Sequence, residues 1–108
     1  MTLYGLPTCS LCSAALKAFA KVDIPVTFRD VRTDPLSEAE WAVLAVNVGA
    51  GVIDKASPAY RSINAFVRES EVEVQLAHAP AMMARPVITD GTRWTVGWTP
   101  EIQSGWGV

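Results

Sequence analysis

The order of elements along this chain predicts an α/β fold, a mixed four-stranded sheet carrying a helical insertion. Three observations support that prediction. A short apolar opening runs through a Cys-x-x-Cys turn into a segment of helix formers. The stretch from about 34 to about 80 reads as helical, and a β-hairpin followed by a short helix closes the chain.

Leu3 and Tyr4 begin the first strand, and Gly5-Leu6-Pro7-Thr8 leads into Cys9-Ser10-Leu11-Cys12. Residues 14–21 are mostly strong helix formers. Cys12, Ala15 and Leu16, Phe19 and Val22 recur at helical spacing, with Lys17 and Lys21 on the other face. The opening therefore reads as strand, turn and helix N-terminus. Ile24 to Val31 alternates as a second strand, with Pro25 at its start, where a missing N–H is tolerated. Residues 33–36 turn the chain, and Ser37-Glu38-Ala39-Glu40 is a capping box. The helix through Trp41, Leu44 and Val48 is expected to stop at Gly49 or Gly51. Ser57-Pro58 marks another helix start in an otherwise indistinct stretch from 54 to 64. Residues 70–78 read as a further helix, although Val72 and Val74 also alternate as a strand would. Pro86 to Thr89, Asp90-Gly91 and Thr92 to Val96 make a hairpin with an Asp-Gly turn. Thr99 and Pro100 then suit the N-cap and first position of a last helix. This order, β-α-β, a helical block, then β-β-α, is that of a thioredoxin-like domain of the glutaredoxin type.

The 108 residues suffice for one domain spanning 1–108 with one core, and half of them are hydrophobic while 19% are charged. A net charge of −2 with mixed signs argues against a basic nucleic-acid surface or a polybasic membrane segment. No charged leader with an apolar run opens the sequence, and no apolar stretch approaches the length of a membrane span. A cytoplasmic protein is expected, with no membrane and no direct nucleic-acid partner. In that setting two cysteines spaced Cys-x-x-Cys favour redox chemistry over a structural staple.

The unpaired N–H groups and positive dipole end of a helix favour a thiolate at Cys9. Cys9 and Cys12 lie one turn apart, within disulfide reach. The plainer alternative is that both are small buried apolar residues. No metal site is expected, because two cysteines and the sole histidine, His78, fall short of a ligand set. His78 reads instead as a residue at a helix C-terminus. Trp41 and Trp94 read as packing residues, and Trp98 and Trp106 as a cover for the end of the sheet.

Along nearly its whole length the sequence resembles the ArsC/Spx/YffB family of arsenate reductase-like proteins. The likeness rests on Thr2-Leu3-Tyr4 leading to Cys9, on Ile24-Pro25, on Asp34-Pro35-Leu36-Ser37, and on Tyr60-Arg61. It continues through Arg85-Pro86-Val87-Ile88 and Val96-Gly97-Trp98. The resemblance implies that Cys9 is the nucleophile, that Arg61 and Arg85 line an anion site, and that Pro86 is a cis-proline beside Cys9. The chain also departs from the family's arsenate reductases. Their histidine before the nucleophile falls at about Gly5, their third arginine at Val96 or Gly97, and they commonly lack a counterpart of Cys12. The Cys-x-x-Cys form is more like the Spx-type regulators, which sense oxidation and bind RNA polymerase. Those usually continue past the last helix, whereas this sequence reaches Val108.

Two functions follow from the resemblance. The first is a thiol-dependent reductase in which Cys9 attacks a small oxyanion or disulfide substrate and Cys12 resolves the adduct. It implies no tightly bound cofactor and an external reductant such as glutathione, glutaredoxin or thioredoxin. The second is a redox-sensing regulator with RNA polymerase as partner.

Overall fold

The computed structural model describes residues 1–108. The chain forms two compact units, Met1–Asp30 with Arg85–Val108, and Val31–Ala84.

The first unit is the sheet. Its strands are β1 (Thr2–Gly5), β2 (Thr27–Asp30), β3 (Val87–Thr89) and β4 (Trp94–Val96), in the order β2-β1-β3-β4. β1 runs parallel to β2 and antiparallel to β3, which pairs antiparallel with β4, so the sheet is mixed. The register aligns Phe28, Leu3, Ile88 and Thr95 across the four strands, and alternation puts that row on one face. Helix α1 (Ser10–Lys21) buries Cys12, Ala15 and Phe19 in the same cluster as Leu3 and Ile88. On the other face Tyr4 stacks on Trp94, with ring centroids 6.3 Å apart.

The C-terminal helix (Pro100–Trp106) starts with Thr99 as N-cap and Pro100 in its first turn, as its sequence requires. It delivers Trp106 to the core. The Trp106 indole meets Phe19 edge-on at 6.3 Å, and its Nε1–H donates to Thr95 Oγ1 at 2.8 Å. The Arg93 guanidinium lies 3.9 Å over the same ring and donates to the Gly105 carbonyl at 2.6 Å. Trp98 tilts against Phe19 at 5.6 Å. These two tryptophans therefore close around Phe19, in the last turn of α1.

Two strands are shorter than the sequence pattern suggests. β2 begins only at Thr27, because Asp23 takes a positive φ of 58° and Pro25 has no N–H to add to a ladder. In the hairpin, the Asp90 carboxylate accepts from the N–H groups of Thr92 and Arg93. These bonds hold residues 90–93 as a four-residue loop, and β4 starts at Trp94.

The second unit is helical throughout: α2 (Glu38–Val48), α3 (Pro58–Ser62), α4 (Ala65–Arg68) and α5 (Val72–His78), with short 3₁₀ turns at Ala50–Val52 and Pro80–Met82. The capping box forms as the sequence predicts: Glu40 N–H donates to Ser37 Oγ at 3.2 Å, and Ser37 N–H to Glu40 Oε1 at 3.0 Å. α2 ends at Gly49, whose φ of 84° suits glycine. Ser57 caps α3 and Asn64 caps α4, a helix of a single turn that the apolar pattern does not reveal. The alternation of Val72 and Val74 is overridden, and the segment is helical, burying Gln75 and Leu76. Trp41, Leu44, Leu76, Met82 and Met83 form the interior as α2 packs on α5. Ile53 and Met83 pair as an isolated antiparallel bridge. No helix of either unit is long and apolar enough to cross a membrane.

Removing the Trp106 side chain deletes a nearly buried indole and its hydrogen bond to Thr95. Trp106→Ala is expected to cost about 3–5 kcal/mol, measured by urea denaturation. A loss within about 0.5 kcal/mol, the scale of an ordinary surface change, would contradict this account of the core.

Candidate active site

β1 ends at Gly5 and α1 begins at Ser10, so the intervening residues must reverse the chain within a few positions. The Cys9 N–H closes that turn on the Leu6 carbonyl at 3.1 Å. Cys9 is then the N-cap of α1, extended at φ −83° and ψ 118°, and its Sγ accepts the Cys12 N–H at 3.4 Å. A sulfur thus takes the place that a Ser or Asp oxygen takes at most helix starts. The Cys9 carbonyl accepts from Ser13 N–H at 3.1 Å, so the cap is fixed on both its backbone and side-chain sides. Cys9 is half-buried and Cys12 is buried, and both are unpaired thiols.

The Arg85–Pro86 peptide bond is cis. Pro86 is buried at the start of β3, and its carbonyl accepts the Gly97 N–H at 2.9 Å. Gly97, with φ 90°, ends β4 in a conformation that side chains rarely take. Arg85 is half-buried, and its guanidinium hydrogen-bonds the Cys9 sulfur.

The two thiols differ sharply. Burial opposes ionisation of Cys9. The Cys12 thiol, the Cys12 N–H, the Arg85 guanidinium and the Leu11 N–H, in that order, outweigh it, and Cys9 ionises below the usual thiol range. Cys12 shows the opposite balance. Its burial, and then its hydrogen bond to Cys9, push its thiol up to about 12. The two opposite shifts favour a Cys9 thiolate with a protonated Cys12 beside it. That is an activated nucleophile with a second thiol one turn away.

Cys9, Cys12, Arg85 and Pro86 all belong to the first unit. Arg61 belongs to the second, where it is exposed in the last turn of α3. His78 is the final residue of α5 and is exposed. No three His, Cys, Asp or Glu side chains gather as metal ligands would.

Gly5 is the residue whose part the sequence alone did not reveal. Its sequence position reads only as the place where the family's reductases have a histidine. In the structure it is buried, on the α1 side of β1, and a Cβ built there would collide with Cys12 Sγ. Its φ is not positive, so the backbone does not require glycine. A glycine in a strand with no turn to make is the signal of such a close approach.

Alkylation at neutral pH followed by peptide mapping should label Cys9 and leave Cys12 unmodified. The pH profile of labelling should fall below the free-thiol value of about 8.5 and move upward in Arg85→Ala. Preferential labelling of Cys12 would reverse the assignment.

The raised Cys12 pKa also predicts an alkaline loss of stability. The unfolded chain releases this proton near the free-thiol value of about 8.5, while the folded chain holds it to about 12. Between those values the unfolded state binds fewer protons, so stability is full below the window and falls as pH rises through it. Cys12→Ala should flatten that decline in denaturation midpoints. An identical decline in both proteins would count against the buried, protonated thiol.

No protein-family model matches the chain, but individual relatives do. It is 29% identical over 111 residues to the global transcriptional regulator Spx 2 of Lactococcus lactis, covering 94% of this chain and 81% of that protein. The global transcriptional regulator Spx of Streptococcus pneumoniae is 26% identical over 108 residues, covering 94% and 80%. Among solved structures, the YffB protein superposes with a TM-score of 0.84 at 20% identity, covering 96% of both chains. An arsenate reductase from Vibrio cholerae superposes with a TM-score of 0.79 at 18% identity, covering 94% of both. At these identities the solved structures speak for the fold alone, and that fold is the arsenate reductase-like form of the thioredoxin fold. Sequence relatives and fold agree: the chain is similar in sequence to Spx regulators and in fold to arsenate reductase-like proteins, the two kinds of protein that the ArsC/Spx/YffB resemblance joins.

Proposed function

We propose that this protein is a thiol-dependent oxidoreductase of the arsenate reductase-like kind, acting in the cytoplasm on a disulfide or a small oxyanion. The observation that supports the reading best is the asymmetry of the two thiols, an N-capping Cys9 beside Arg85 and a buried, protonated Cys12. With a disulfide substrate, the Cys9 thiolate attacks one sulfur, forming a mixed disulfide and releasing the other half as a thiolate. Cys12 then attacks Cys9 Sγ, releases the second half and passes it the proton. The substrate gains two electrons, and the Cys9–Cys12 disulfide holds the oxidation. Two equivalents of glutathione, or one reduced glutaredoxin or thioredoxin, restore the dithiol. Arg85 serves an anionic substrate at the same sulfur. The corresponding role for Arg61 rests on the family resemblance alone.

Arsenate is expected to be a poor substrate. A multiply charged oxyanion beside a thiolate needs several converging donors, because like charges repel. The family's third arginine position falls at Val96 or Gly97, and Arg93, on the approach to the same strand, is committed to Trp106 and Gly105. Losing one such donor typically lowers turnover by about 10²–10³-fold.

The Spx relatives favour a second reading, a regulator that binds RNA polymerase and uses the same dithiol as a switch. One set of assays separates the two. Purified protein should reduce a small disulfide with glutathione, glutaredoxin or thioredoxin as the electron source, lose that activity in Cys9→Ser, and turn arsenate over weakly or not at all. Brisk arsenate turnover lost in Cys9→Ser would restore the plain arsenate-reductase reading. Absence of any turnover, with redox-dependent capture of RNA polymerase, would replace the enzyme with the regulator.

A further inference from the structure

We propose that Gly5 is the positioning residue for the resolving thiol, by leaving the space at the end of β1 in which Cys12 Sγ lies against Cys9. The inference rests on the reading of Cys12 as the resolver and assigns a residue that sets its position. Gly5 and Leu3 point to the same side of β1, toward α1, and Leu3 and Cys12 share the core cluster on that side. A Cβ on Gly5 would collide with Cys12 Sγ, and would also stand 3.3 Å from Cys12 Cβ and 3.5 Å from Leu3 Cδ2. The two latter contacts are tight or ordinary, and the sulfur is the atom that has to move. Since Gly5 has no positive φ, space alone accounts for the glycine.

Alanine at this position leaves Cys9 its cap geometry, because Cys9 is held by the backbone of Leu6, Cys12 and Ser13. It forces Cys12 Sγ out of its site, and resolution depends on that placement. A displacement of an attacking atom by about 1 Å can cost up to about 10²-fold in rate.

The test uses the full chain, reduced and then mixed with oxidised glutathione. The Cys9 thiolate takes up one glutathionyl group and releases one glutathione. Cys12 then displaces the second glutathione to close the disulfide, and rapid quenching with mass analysis follows both steps. In Gly5→Ala the first step, measured above the Cys9 titration range so that loss of the Cys12 hydrogen bond does not change the thiolate fraction, should change less than the second, and the ratio of second-step to first-step rate should fall about tenfold or more. A companion measurement compares Tm under reducing conditions for wild type, Gly5→Ala, Cys12→Ala and the double variant. Gly5→Ala should lower Tm when Cys12 is present and have little effect in the Cys12→Ala background, where no sulfur occupies the space. Closure at the wild-type rate, or an equal Tm loss in both backgrounds, overturns the inference. A wild-type protein that never closes the disulfide overturns the proposed function instead, and the Tm comparison, which involves no redox step, still decides where the Cys12 sulfur lies.

Discussion

The contact between the end of β1 and the first turn of α1 is the constraint on which the rest of the site depends. β1 is an inner strand, paired on both sides, so its end cannot shift without disturbing two ladders. α1 is fixed over the same sheet by Ala15 and Phe19. Between these two fixed elements the chain reverses through Leu6–Thr8, and Cys9 caps the helix that follows. The sulfur of Cys9 is thereby held at a helix start, where the Cys12 N–H, the Cys12 thiol and the Arg85 guanidinium reach it. Its chemistry follows from that position.

The same contact explains why two identical side chains behave differently. Cys9 stands at the rim with donors around it, whereas Cys12, three residues on, points inward and is 1% exposed. Burial disfavours a charge on Cys12, and the partial charge already on Cys9 disfavours a second one beside it. The result is one nucleophile and one reserve thiol rather than two competing ones. Arg85, held by the cis bond to Pro86 at the start of β3, adds a positive charge on the Cys9 side.

Around this centre the C-terminal segment acts as a brace. Trp106 is held by a hydrogen bond to Thr95, the Arg93 guanidinium on its face and the Phe19 ring at its edge. This joins β4, α1 and the C-terminal helix, α6 (Pro100–Trp106), on one side of the sheet. It also explains why Arg93 is not available as a substrate donor although it precedes β4 directly: its charge serves the C-terminal end of α6, where cations are favoured.

Sequence alone determined whatever depends on local chemistry. The capping box at Ser37 and Glu40, the caps at Ser57 and Thr99 and the Cys-x-x-Cys helix start each involve residues close in the chain, whereas the hairpin expected at Asp90-Gly91 closes through a longer loop, residues 90–93. Their hydrogen bonds can be read from residue type and spacing. The element order was legible for the same reason, and with it the sheet. Tertiary structure decided what depends on residues far apart. Val72 and Val74 alternate like a strand, but the segment buries Leu76 against α2 as a helix, because burial outweighs a weak local preference. The start of β2 was set by a backbone reversal at Asp23, which no hydrophobic pattern records. The placement of Arg85 at Cys9 joins positions far apart in the chain, and only family likeness hinted at it. Gly5 carries no side chain from which a role could be read, and its part became visible only when α1 placed a sulfur in the space it leaves open.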